Sequence, residues 1–250
     1  MSAQDGDDRA AFDPGAALAD VETATEHFLA SAARLDDATV REPSLLPGWS
    51  RGHVLAHVAR NADGLVNLLT WARTGVETMP YASRASRDDD IESGSGRPLA
   101  EHLQDLQDSA ARFAASVAEV PADRWDVPVR WNDTTERPAR AVLAARLREV
   151  EIHHVDLGLD RTPAHWNEDF SAHVLDGATR VMSAAGDAPA ARLHAVDTDR
   201  TWELGTPDAT SPRVGGPQAA LLAWLIGRSS GDGLTVEPDG ATLPTPPPWS

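Results

Sequence analysis

The chain has 250 residues, 41% hydrophobic and 24% charged, which is enough for one large globular domain or two smaller ones. A formal charge of −17 excludes nucleic acid and anionic membrane as partners, because polyanions are repelled over most of the surface. There is no cysteine and all 22 basic residues are arginine, which excludes disulfides, thiolate ligands, a cysteine nucleophile, a Schiff-base lysine and a P-loop lysine.

The start, Met1 to Asp5, is acidic rather than signal-like, and no apolar run approaches a membrane span, so a cytoplasmic location is expected. Residues 1–12 read as a mobile polar tail. Pro14 then opens an Ala-rich helix to about Leu35. Pro47-Gly48-Trp49 is a turn, and Ser50 is a suitable N-cap for a long helix that ends at Thr74 before Gly75. Val54, Leu55, Val58, Leu65 and Leu68 give that helix a buried stripe. Tyr81 to Gly96 is polar, charged and rich in Ser and Gly, and reads as a long functional loop.

A third helix is expected from Pro98 to Val120, with Leu99, Leu103, Leu106 and Phe113 at helical spacing. Pro138 opens a fourth, which ends near Gly158. Four long helices predict a four-helix bundle over residues 13–162. Residues 163–243 change character. They hold a helix over Glu168–Ala185, strand-like runs at Leu193–Val196, Trp202–Leu204 and Leu234–Val236, and a helix opened by Gly215-Gly216-Pro217 that runs through Leu225. That mixture predicts a small α/β domain and an overall α+β class, closed by a Pro-rich tail at 244–250.

Two helical pairs carry the chemistry. His53 and His57 lie four residues apart on the second helix, and Glu149 and His153 lie four apart on the fourth. Residues at that spacing share a helix face, so each pair presents two donors to one spot. If the helices pack together, four candidate donors converge where a bundle core is normally apolar, as in a metal site for Zn²⁺ or Fe²⁺. On the fourth helix, at about 100° per residue, Leu143, Leu147, Val150 and Leu157 form the apolar stripe and Glu149, His153 and Asp156 flank it. His154 falls within the apolar stripe and reads as a core histidine satisfied by one hydrogen bond. Asp156, one turn beyond His153, could take the imidazole N–H and fix its tautomer.

The segments Ser44-Leu-Leu-Pro-Gly-Trp-Ser50, His53-x3-His57-Val-Ala-x-Asn61 and Glu149-Val-x-Ile-His153-x-Val-Asp-Leu-Gly158 resemble the mycothiol-dependent maleylpyruvate isomerases. Trp71-Ala-x-Thr-Gly75, Glu77-Thr78 leading to Tyr81, and Gly227-Arg228 before Asp232-Gly233 extend the resemblance along nearly the whole chain. It implies a DinB-like four-helix bundle that binds one Zn²⁺ through His53, Glu149 and His153, with His57 as a packed neighbour. It also implies a functional arginine at Arg228. Arg87, on the expected loop, is a second cation for anionic ligands.

The implied activity is conversion of maleylpyruvate to fumarylpyruvate in gentisate-type aromatic catabolism, with mycothiol as cofactor. Rotation about a conjugated double bond requires that bond to become temporarily single, which an added thiolate achieves, and a chain without cysteine must borrow that thiol. The substrate carries two carboxylates, which an arginine fork matches bidentately. The expected partners are therefore this small dicarboxylate and mycothiol, acting on a monomer. The alternatives are a mycothiol S-transferase using another electrophile and a non-catalytic metal-binding module.

Overall fold

In the computed structural model, which describes residues 12–249, the helices begin where the sequence supplies caps. α1 (Pro14–Ala32) has Pro14 at its first position, and Asp13 Oδ1 accepts from the Gly15 and Ala16 amides. α2 (Arg51–Thr74) starts at Ser50 and stops at Gly75, whose φ of 75° is left-handed. The expected N-terminal tail lies outside the described residues apart from Phe12.

The segment 81–96 is not a loop. It holds a third helix, α3 (Arg84–Ser95), capped by the Ser83 hydroxyl on the Ser86 amide. Its polar sequence carries no apolar stripe; Ile91 is the one large apolar side chain that it buries. The helix is held instead by close approach to α2. A Cβ on Gly52 would lie 2.1 Å from the Ser95 carbonyl oxygen, so only glycine lets the two helices meet there.

α4 (Leu99–Ala118) and α5 (Ala141–Asp156) complete the set, joined by a short antiparallel hairpin of β1 (Pro128–Arg130) and β2 (Glu136–Pro138). α2 runs through the centre, packed on α3, α4 and α5, while α1 closes against α4 and α5. Val54, Leu55, Val58, Leu65 and Leu68 of α2 are all buried, as are Leu143, Val150 and Leu157 on the other side of the core. His154 is a core histidine: its Nε2 lies 2.7 Å from Ser31 Oγ, and its ring meets Phe28 edge-on. Arg146 is the surprise. It is 1% exposed and its Nη1 donates to the Val58 carbonyl (2.7 Å) and Asn61 Oδ1 (2.9 Å). Burial depresses its pKa to about 10.

The chain divides into two compact units after Leu157. The second contains α6 (Glu168–Ala185), α7 (Gln218–Leu225) and a four-stranded mixed sheet of order β4-β3-β5-β6. β3 (Ala191–Ala195) pairs antiparallel with β4 (Thr201–Leu204) and parallel with β5 (Arg213–Gly216), and β5 pairs antiparallel with β6 (Thr235–Glu237). β5 escapes a reading by sequence pattern because half of it is glycine, which gives no alternation signal. The fold is α+β, a helical bundle followed by a small sheet unit. Among the described residues no helix is long and apolar enough to cross a membrane.

Candidate metal centre

Three of the four candidate donors converge. One ligand atom each from His57 on α2 and from Glu149 and His153 on α5 can be chosen so that all lie within 4.8 Å of one another. Glu149 Oε2 stands 3.0 Å from His57 Nε2 and 3.5 Å from His153 Nε2, and the two imidazoles meet edge-on with centroids 4.5 Å apart. Ligands about 2.0–2.2 Å from a tetrahedral zinc ion stand roughly 3.3 Å from each other, so these separations bracket the required spacing. Two imidazoles and a carboxylate fit zinc, and three protein ligands leave a fourth position open.

His53, assigned as a ligand by resemblance, is not in the cluster; His57 takes that place. The physical reason is the cap of α2. His53 is the third residue of the helix, and its Nδ1 turns back to accept from the Ser50 amide (3.1 Å) while Ser50 Oγ accepts from the His53 amide (3.3 Å). Its Nε2 then faces Glu92 Oε2 of α3 at 3.1 Å. One turn on, His57 is free of the cap and points inward, 4% exposed. Trp49 lies between the two histidines, stacked on His53 (6.0 Å) and edge-on to His57 (5.5 Å). Ser50 as the cap of α2 is legible in the sequence; that the His53 ring completes the capping box with it is set by the folded geometry.

The surroundings orient the donors. Asp156 is fully buried, and His153 Nδ1–H donates to its Oδ2 at 2.8 Å, which directs Nε2 to the cluster. Arg87 does not sit on a loop but on α3, and its Nη2 donates to His57 Nδ1 at 3.2 Å. Arg228 belongs to the second unit, directly after α7, where its Nη1 donates to the Ile226 carbonyl at 2.9 Å. Replacing Asp156 with asparagine should reduce zinc affinity by about 10–100-fold while the helix content is unchanged. Competition with a chromogenic chelator measures this, and an unaltered affinity would remove Asp156 from the centre.

The three donors titrate apart. Burial, reinforced by the neighbouring His153, lowers His57 to about 4. Burial also works against the His153 cation, but hydrogen bonds to Asp156 and Glu149 outweigh it and raise this histidine above its usual 6.5. Burial would lift Glu149, yet hydrogen bonds from His153 and His57 hold it well below its usual range. In the metal-free cluster these shifts favour a neutral His57, an ionised Glu149 and the cationic form of His153. A metal must displace a proton held on His153 Nε2, so zinc binding should release protons and weaken as the pH falls. Calorimetry in buffers of different ionisation enthalpy counts the proton, and a release of zero contradicts the assignment.

The family profile described as "Mycothiol maleylpyruvate isomerase N-terminal domain" matches residues 21–158, and that described as "MDMPI C-terminal domain" matches residues 165–246. The chain belongs to the mycothiol-dependent maleylpyruvate isomerase family. Among solved structures, the crystal structure of the mycothiol-dependent maleylpyruvate isomerase superposes with a TM-score of 0.89 at 30% identity, covering 95% of this chain and 98% of that one. A histidine-to-alanine mutant of the same enzyme matches with the same values. Comparison with curated proteins finds no match.

Of the residues around the cluster, His57 reads from the sequence as a packed neighbour of the ligands, and the burial of Arg146 is not expected from its charge. The signal for Arg146 was present: it falls between Leu143 and Val150 on the apolar stripe, at spacings of three and four.

Proposed function

We propose that this protein is a zinc- and mycothiol-dependent cis-trans isomerase that converts maleylpyruvate to fumarylpyruvate. The observation that carries the reading is the largely buried cluster of His57, Glu149 and His153 in a family member that has no cysteine of its own. His57, Glu149 and His153 would hold the zinc ion, which would supply an open coordination position and the Lewis acidity that favours the thiolate form of an external thiol. The chain supplies the rest. Asp156 keeps the His153 proton on Nδ1 and leaves Nε2 as the ligand atom. Trp49 walls one side of His57 with an apolar ring and keeps water from it.

Arg87 is poised to receive an anion. His57 Nδ1 accepts from it only while the His57 proton sits on Nε2. When Nε2 serves as a ligand, the proton resides on Nδ1, and one Arg87 donor is released for a substrate carboxylate. The family resemblance supports Arg228 as a further cation for a carboxylate, because its fork can match one by two parallel hydrogen bonds. An acidic protein must provide such local cations, because its overall field opposes a dianion.

The deciding experiment incubates zinc-loaded protein with maleylpyruvate and mycothiol and follows both compounds in time. Fumarylpyruvate should accumulate over many turnovers while free mycothiol stays constant. Stoichiometric loss of mycothiol would instead identify an S-transferase, and no change in either would leave a metal-binding module.

A further inference from the structure

The segment between α2 and α3 is fastened along one face of α2. Asn67 Nδ2 donates to the Pro80 carbonyl at 3.1 Å, which fixes the backbone immediately before Tyr81. One turn toward the metal centre is Gly64. A Cβ there would lie 2.9 Å from Tyr81 Cζ and 3.1 Å from its hydroxyl oxygen, so the missing side chain is the notch in which the phenol rests. Asn67, Gly64 and His57 descend the same helix at spacings of three and seven residues, which places them on one face. The notch therefore opens on the line that leads to the ligand His57.

Arg87 reaches the same place from α3. Its guanidinium carbon stands 6.0 Å from the Tyr81 ring centre, and its Nη2 touches His57 Nδ1 at 3.2 Å. The phenol is half-buried, and burial raises its pKa, while the charge of Arg87 and a hydrogen bond from it act in the opposite direction. The only tyrosine of the chain is thus lodged beside Arg87, the cation that touches His57 of the candidate metal centre.

We propose that Tyr81, seated in the Gly64 notch, is a positioning residue: it holds the Arg87 guanidinium at the mouth of the metal centre and so sets the grip on an anionic substrate. This rests on the isomerase reading above, in which Arg87 is released from His57 to meet a carboxylate. A guanidinium on a helix with few apolar contacts would otherwise swing toward Asp88, which already takes its Nη1 at 2.7 Å. The aromatic face and hydroxyl of Tyr81 oppose that swing by cation–π attraction and hydrogen bonding. Tyr81 acts through Arg87 and is assigned no proton transfer in the reaction itself.

Two measurements on the full chain test this. The first requires no turnover: with one tyrosine, phenolate absorbance reports Tyr81 alone. Arg87→Ala removes the neighbouring cation and should move the Tyr81 midpoint to higher pH; an unmoved midpoint overturns the contact. The second uses maleylpyruvate and mycothiol. Tyr81→Phe keeps the ring in its notch and should retain zinc while raising KM for maleylpyruvate about tenfold, with a smaller effect on kcat. Gly64→Ala, which crowds the ring, should raise KM in the same direction. In an Arg87→Ala background, Tyr81→Phe should add nothing. Independent losses in that double variant, or a loss confined to kcat, overturn the proposal. A wild-type protein that binds zinc but leaves maleylpyruvate unchanged sinks the isomerase reading, while the phenolate titration still decides whether Tyr81 and Arg87 are coupled.

Discussion

His57→Ala protein is expected to purify without zinc and to lose isomerisation, whereas His53→Ala protein is expected to keep its metal. The contrast follows from where the two rings go. His57 Nε2 stands 3.0 Å from Glu149 Oε2 inside the cluster, and its side chain is 5% exposed. Losing one of three protein ligands leaves two, so the effect on affinity should exceed the ~10–100-fold that follows loss of an orienting partner. His53 closes the first turn of α2 and reaches Glu92, whose side chain is 78% exposed. Its replacement removes part of a cap, worth about 0.5–2 kcal/mol of stability, and a surface contact that is worth little. Elemental analysis of the two purified variants, with thermal melts beside it, separates them. Zinc retained in His57→Ala and lost in His53→Ala would restore the assignment made from resemblance.

Arg228→Ala should leave zinc content unchanged and lower kcat/KM for maleylpyruvate roughly a hundredfold. A bidentate guanidinium–carboxylate pair is worth about 3 kcal/mol where it is shielded from water, which corresponds to that factor. Lysine should restore only part of the loss, because a point charge on a flexible stem does not reproduce two parallel hydrogen bonds. The sign of the effect is favoured by the rest of the molecule: with −17 overall, no diffuse positive field replaces a missing local cation. Steady-state kinetics on zinc-loaded protein measures the change. Turnover equal to that of the unaltered protein would take Arg228 out of the proposed machinery. The same variant with reduced zinc would mean that it supports the fold rather than the substrate.

Much of the helical part was legible because its signals are local. Pro14, Ser50 and Gly75 act on the backbone within a turn of themselves, and α1 and α2 begin, and α2 ends, where those residues stand. α6 occupies Glu168–Ala185, the span read from the sequence, and Asn167 Oδ1 caps it by accepting from the Phe170 amide. Elements held by partners rather than by their own pattern were not legible. α3 has almost no apolar stripe and owes its place to the close approach at Gly52. β5 is half glycine and exists because β3 and β6 flank it.

By itself the sequence determined that any thiol must be borrowed, that the cations must be arginines, and that two helices carry imidazole and carboxylate groups at face-sharing spacing. Those are properties of residue type and helical period, which do not depend on the rest of the fold. Only the tertiary structure decided which histidine joins Glu149 and His153. His53 and His57 lie on nearly the same face of α2, and periodicity treats them alike. The difference is that a helix's first turn has amides without partners, and the His53 ring is drawn back to Ser50, while one turn later every amide is satisfied within the helix and His57 turns inward to the carboxylate on α5.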